Sequence, residues 1–171
     1  MKKQLLLAFI LPFFAFNSIE SVRVELDDRV SVEFPETPEE KTMNGNQVWV
    51  SDVGSDARCM VMVLDFAKFG MDSAAVADEM SREESFRTFK DGILGEMEGA
   101  TLISEQKTTT LGYTTFAYHI DMGKTDTEAL NVMYNRNVFI GRKMYSLSFY
   151  EKPGKPNADK RNHFFKSFKA R

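Results

Sequence analysis

The chain has one cysteine, two histidines, one tryptophan and five prolines among its 171 residues. Cys59 has no partner for an internal disulfide, so the fold must stand on its core rather than on bridges. His119 and His163 form no H-x-x-x-H or H-x-H pair, which removes the common zinc spacings. No G-x-S-x-G occurs, so no nucleophile elbow is present. Gly123-Lys124-Thr125 has the ending of a P-loop, but the glycine required upstream is Tyr118, and the segment lies between strand patterns rather than before a helix. No apolar run reaches the roughly 20 residues of a membrane-spanning helix. No basic excess is present either: the formal net charge is −3. Broad nucleic-acid binding, which needs a dominant basic surface, is therefore not expected.

The most apolar stretch lies at the start. Lys2 and Lys3 precede Leu5 to Phe16, which is apolar throughout apart from Pro12. A charged opening followed by a short apolar run reads as a signal peptide over residues 1–21. Small residues stand at Ala15 and Ser18 without a clean A-x-A site, so cleavage is expected between Asn17 and Ser21. No cysteine lies near that point to carry a lipid. The expectation is an exported, soluble protein, periplasmic or extracellular, with no transmembrane segment after processing. Residues 22–171 then form a single domain, long enough to build a core unaided.

Strand patterns open this region. Val22, Val24 and Leu26 alternate with Arg23, Glu25 and Asp27, and Val30, Val32 and Phe34 alternate with Ser31 and Glu33. This period of two predicts a hairpin around Asp27-Asp28-Arg29, ended by Pro35 and Pro38. Asn44-Gly45 predicts a tight turn between a short strand near Lys41 to Met43 and a longer one over Gln47 to Val53. Cys59 to Leu64 is apolar without alternation and predicts a central strand covered on both faces. Ser73 is read as the cap of a short helix, and Ser81 with Glu84 as a capping box for a second. Phe86, Phe89, Ile93, Leu94 and Met97 give that second helix one apolar face. Gly92 and Gly95 inside it mark either close approach to the sheet or a break.

Strands resume over Thr101 to Thr109. Phe116, Tyr118, Ile120 and Met122 alternate along the next, followed by Leu130, Val132, Tyr134, Val138 and Ile140, and then by Tyr145, Leu147 and Phe149. Asn157 is placed to cap a last helix carrying Phe164, Phe165 and Phe168. This order predicts an α+β fold built on an antiparallel sheet.

Three stretches carry a family resemblance: VSVEFPETP (Val30 to Pro38), VFIGRKMYSLSF (Val138 to Phe149) and FFKSF (Phe164 to Phe168). Together they resemble the PsbP-like superfamily, which takes in photosystem II extrinsic proteins and a Ran-binding import factor. The resemblance runs from Val22 to about Phe168. It implies an αβα sandwich, an antiparallel sheet flanked by helices on both faces, and a binding or assembly role rather than an enzymatic one. No functional residue of the family matches a position here.

The remaining candidates have plain structural readings. His119 falls opposite the apolar phase of its strand, as a structural or solvent-facing residue. Asp121, Asp126 and Glu128 read as a solvated acidic loop without EF-hand spacing. Cys59 reads as a buried inert thiol, and Trp49 as a ring covered by a helix rather than a binding anchor. No catalytic, cofactor-binding or metal-binding residue is expected. Charge is distributed unevenly: residues 4–150 carry a formal −10 and residues 151–171 a formal +5. Lys152, Lys155, Lys160, Lys166 and Lys169 are the candidate partner-binding residues, facing an acidic protein or an anionic envelope component. An exported, non-enzymatic binding or accessory protein is the leading functional reading. A carrier of a small apolar ligand, held between sheet and helix, is the alternative. An enzyme is the third class, disfavoured because no acid–base or nucleophile set is visible.

Overall fold

The computed structural model describes residues 21–123 and 129–171. The expected signal peptide over residues 1–21, apart from Ser21, lies outside them, as do Lys124, Thr125, Asp126 and Glu128.

Alternation dictates the first hairpin. β1 (Val22–Glu25) pairs antiparallel with β2 (Val30–Phe34), and Asp27 closes the turn by accepting from the backbone N–H groups of Arg29 and Val30, both at 2.9 Å. The second hairpin joins β3 (Glu39–Met43) to β4 (Asn46–Val53) through Asn44 and Gly45, at φ 51° and 74°. Those are the two positive φ values that a tight hairpin turn needs. β5 (Ala57–Asp65) follows, then a 3-10 turn over Phe66–Phe69 and two helices, α1 (Ser73–Ser81) and α2 (Glu83–Gly95). A meander of β6 (Thr101–Thr110), β7 (Tyr113–Asp121), β8 (Val132–Ile140) and β9 (Lys143–Glu151) leads into α3 (Ala158–Lys166) and a two-residue β10 (Lys169–Ala170).

The strands form two sheets rather than the single one expected. Seven run antiparallel in the order β3-β4-β5-β9-β8-β7-β6, and three form a small sheet, β1-β2-β10. β10 leaves no trace in the sequence pattern, because a two-residue strand carries no periodicity. It returns the chain end to β2 by pairing Lys169 with Ser31 and Ala170 with Val30.

Each face of the large sheet has its own core. On one side, Val30, Val32 and Phe34 of the small sheet and Phe164 and Phe165 of α3 bury Val61, Tyr145, Leu147 and Phe149. Trp49 is buried in the same cluster. On the other side, α1 and α2 bury Phe116, Tyr118, Ile120, Phe139 and Met144 beneath Val76, Met80 and Phe86. The protein is thus α+β, with helices on both faces of a central antiparallel sheet.

Three local expectations differ from the structure. Cys59, Val61 and Val63 are buried, but Met60, Met62 and Leu64 on the opposite face of β5 are only half-buried. The strand buried on both faces is β9, fourth in the order of seven. Asp72 rather than Ser73 caps α1, its carboxylate accepting from Ala75 N–H at 2.8 Å. Ser81 builds no capping box. Its hydroxyl donates to the Asp78 carbonyl at 2.6 Å, and α2 starts from an extended Arg82. Gly92 and Gly95 meet nothing where a Cβ would stand, so they do not serve close packing, and α2 ends at Gly95. Gly123 is the glycine that packing requires: a Cβ there would lie 2.1 Å from the Gly99 carbonyl oxygen.

Candidate functional site

On the side of α3 and the small sheet, Thr115 of β7 is buried and Tyr113 packs on the core, while Ala117 and His119 of β7 are half-buried and Gln106 of β6 is exposed. Cross-strand register sets His119 of β7 beside Tyr134 of β8, and Ala117 beside Arg136. These residues and Gln106 face α3, from which Arg161 and Phe165 project. The result is an open cleft of about 280 Å³ between helix and sheet.

The cleft is built from stacked planes. The His119 ring lies on Tyr134 with centroids 4.1 Å apart and planes 15° from parallel. On Tyr134 also sits the Arg161 guanidinium, 3.8 Å from the ring centroid. Arg161 is held from behind by buried Glu151, with Nη1 to Oε1 at 2.8 Å. Glu151 in turn accepts from the Asn157 backbone N–H at 3.1 Å, which ties the start of α3 to the end of β9. Arg136 is different. Its guanidinium lies 4.5 Å from the Phe165 ring centroid, and no carboxylate pairs with it among the described residues. Burial lowers the pKa of Arg136, without approaching deprotonation of a guanidinium. Desolvation, assisted by Arg161, lowers the pKa of His119, which is therefore neutral at neutral pH.

Chemically, this site offers a fixed cation on an aromatic platform, a second cation already neutralised, and a neutral imidazole. An arginine fork on an aromatic face is suited to a carboxylate from outside. Among the described residues no group of three or more acidic, histidine or cysteine side chains is arranged to hold a metal.

None of the lysines singled out by charge lines this cleft. Lys152 pairs with Asp56 at 3.4 Å beside the start of β5. Lys155 is exposed in the loop before α3. Lys160 and Lys166 lie on α3, and Lys166, four residues from the cleft-lining Asn162, shares that side of the helix. Lys169 lies past the helix in β10 and is exposed. Arg136, Arg161 and Tyr134 carried no sequence motif. The available signal was Arg136 itself, a charge on the same phase as Val132, Tyr134, Val138 and Ile140.

Cys59 does not belong to this cleft. It is fully buried, its thiol directed at the Ser51 carbonyl at 3.6 Å, and burial pushes its pKa up to about 12. Native protein at pH 8 should react with a disulfide reagent on the order of a thousandfold more slowly than the unfolded chain. Comparable rates in stopped-flow thiol titration would show that β5 opens readily. His163 lies with Nε2 2.9 Å from a Glu33 carboxylate oxygen, joining α3 to β2 and standing outside the cleft.

No protein-family model matches the sequence, and no curated protein matches it significantly. Solved structures do share its architecture. The solution structure of cyanobacterial PsbP (CyanoP) from Synechocystis sp. PCC 6803 aligns over 92% of this chain and 96% of its own, with 12% identity and a TM-score of 0.59. The Ran-binding protein Mog1p of Saccharomyces cerevisiae aligns over 90% of this chain and 96% of its own, with 12% identity and a TM-score of 0.51. At these identities the likeness concerns architecture alone: the chain has the PsbP-like fold.

Proposed function

We propose that residues 22–171 form an exported, non-enzymatic binding protein that engages an acidic protein partner through the cleft between α3 and strands β6 to β8. Arg136 carries this reading: a half-buried guanidinium, set on Phe165 and lacking an internal carboxylate among the described residues. A partner aspartate or glutamate would meet it in the cleft. Lys155, Lys160, Lys166 and Lys169, with Lys152 partly committed to Asp56, would supply a surrounding positive field. Such a field acts mainly on encounter rate and weakens with salt. Export rests on the leader-like opening residues. No helix of the described residues is long and apolar enough to cross a membrane. The fold shared with Mog1p, described as Ran-binding, is compatible with a protein-binding role.

The test compares wild type, Arg136→Gln and a Lys160/Lys166/Lys169→Glu triple variant as baits for envelope proteins, at low and moderate salt, with binding to purified captured partners then measured. A lost charge-assisted contact is worth about 1.5–3 kcal/mol, so Arg136→Gln should weaken binding by roughly 10- to 100-fold. The triple variant should slow association and flatten its salt dependence. If folded Arg136→Gln binds every captured partner as wild type does, the cleft is not the binding site.

A further inference from the structure

On the opposite face of the large sheet, α2 lies over β7 and β8 and stops short of β5. The space between is a trough of about 270 Å³. Its walls are methionines, Met60 and Met62 of β5, Met133 and Met144 of the sheet and Met97 just after α2, with Phe89 and Ile93 on the helix side. Its floor is polar. Register places Met60, Ser148 and Asn135 in one row across the sheet, and Met62, Ser146 and Asn137 in the next. Four polar side chains thus occupy the middle of an otherwise apolar face, all of them buried.

The floor is not self-sufficient. Asn135 Nδ2 donates to Ser146 Oγ at 3.0 Å and to Ser148 Oγ at 2.9 Å, while its Oδ1 is buried without a hydrogen-bond partner. An unpaired buried carbonyl is destabilising, and a donor reaching it removes that penalty. The walls can yield to admit one: methionine side chains are flexible and repack readily, and Met60, Met62 and Met97 are only half-buried. Glu96 is the one charged residue lining the trough, so nothing there favours an anion. An apolar cavity of about 150 Å³ holds benzene. By that measure this trough suits roughly ten non-hydrogen atoms.

We propose that the trough between α2 and β5 binds a small neutral amphipathic molecule, a ring or short chain among the methionines with one hydroxyl or N–H donating to Asn135. This site lies on the opposite face of the sheet from the α3 cleft, with Asn135 bordering both, and the proposal does not depend on that cleft.

Indole, with one N–H on an apolar bicycle, is a suitable probe, and indene is its counterpart without the donor. Each is titrated into protein carrying 13C-methyl methionine, with the methyl signals assigned from single Met→Leu variants. Indole should produce saturable shifts at Met60, Met62, Met97, Met133 and Met144 and leave exposed Met43 unmoved. Indene should bind about 2- to 10-fold more weakly, the worth of one neutral hydrogen bond. Ile93→Trp, which fills the trough from the half-buried side of α2, should abolish the indole shifts. No saturable shift with indole, equal affinity for indene, or unchanged indole binding in folded Ile93→Trp would each overturn the proposal. If Ile93→Trp does not fold, the indole–indene comparison decides.

Discussion

Phe164→Ala should lower stability by about 3–5 kcal/mol, the range for deleting a fully buried aromatic ring. Phe164 has no exposed surface. Its ring centroid lies 5.6 Å from Phe34 of β2, 6.3 Å from Phe149 of β9 and 5.4 Å from Phe165. One side chain therefore joins α3, the small sheet and the central strand of the large sheet. Little else can close the cavity, since its neighbours are held in strands on both sides. For a domain of this size the expected loss in Tm is roughly 10–15 °C, readable by calorimetry. Phe164→Leu, which keeps most of the volume, should cost under about 1.5 kcal/mol. Phe165 sits nearer the rim beneath Arg136, so Phe165→Ala should cost less stability and also remove the platform of the cleft. A neutral Phe164→Ala would mean that α3 is loosely docked, and the cleft beside it would lose its rigid wall.

The same aromatic residues show what a sequence can and cannot disclose. Phe164, Phe165 and Phe168 are readable as an inward face, because spacing is local information and burial follows from it. The meander is readable for the same reason: Phe116, Tyr118 and Ile120 keep one phase and Tyr145, Leu147 and Phe149 another, and each set lies in a different core. The division into two sheets is not local. β2 could join either sheet by its pattern, and its partner β10 is two residues long, at the far end of the chain. The sequence overstates the covering of β5, because it records that Met60 and Met62 are apolar, not where α2 ends. Both candidate sites are visible only as interruptions of phase: Arg136 on one face of β8, and Asn135 and Asn137 on the other, between Met133 and Phe139. The phase marks them as unusual. Only the sheet order brings Ser146, Ser148, Met60 and Met62 beside the asparagines, and only the docking of α3 sets Phe165 beneath Arg136.

Asp27 should make the fold sensitive to acid, and replacing it should remove that sensitivity. Its carboxylate accepts from Lys143 Nζ at 2.7 Å and from the hydroxyl of fully buried Tyr145, and caps its own turn through the N–H groups of Arg29 and Val30. Burial alone would raise the Asp27 pKa, but the hydrogen bonds from Lys143, Tyr145 and Arg29 outweigh it and bring the pKa down from 3.8 to about 2. A folded value below the unfolded one means that the stabilisation is complete above pH 4 and is lost as pH falls towards 2. With some solvent screening at a side chain 13% exposed, that contribution is about 1–2 kcal/mol. Asp27→Ala should cost about 3 kcal/mol at pH 7, because it strips the turn of its cap and leaves the Tyr145 hydroxyl buried without a partner. Asp27→Asn keeps Oδ1 as the acceptor for the turn but puts an NH2 where Oδ2 accepted from Lys143 and Tyr145, so the ion pair is lost and the tyrosine hydroxyl must turn to accept; it should cost about 1–2 kcal/mol at pH 7. Urea midpoints at pH 7 and at pH 2.5 separate the two contributions. The gap between wild type and Asp27→Asn should narrow markedly at the lower pH, while the gap to Asp27→Ala should narrow only in part, since turn and tyrosine need an acceptor whatever its charge. If the gap to Asp27→Asn is the same at both values, the ion pair with Lys143 contributes nothing, and the charge of Asp27 plays no part in fastening the first turn to β9.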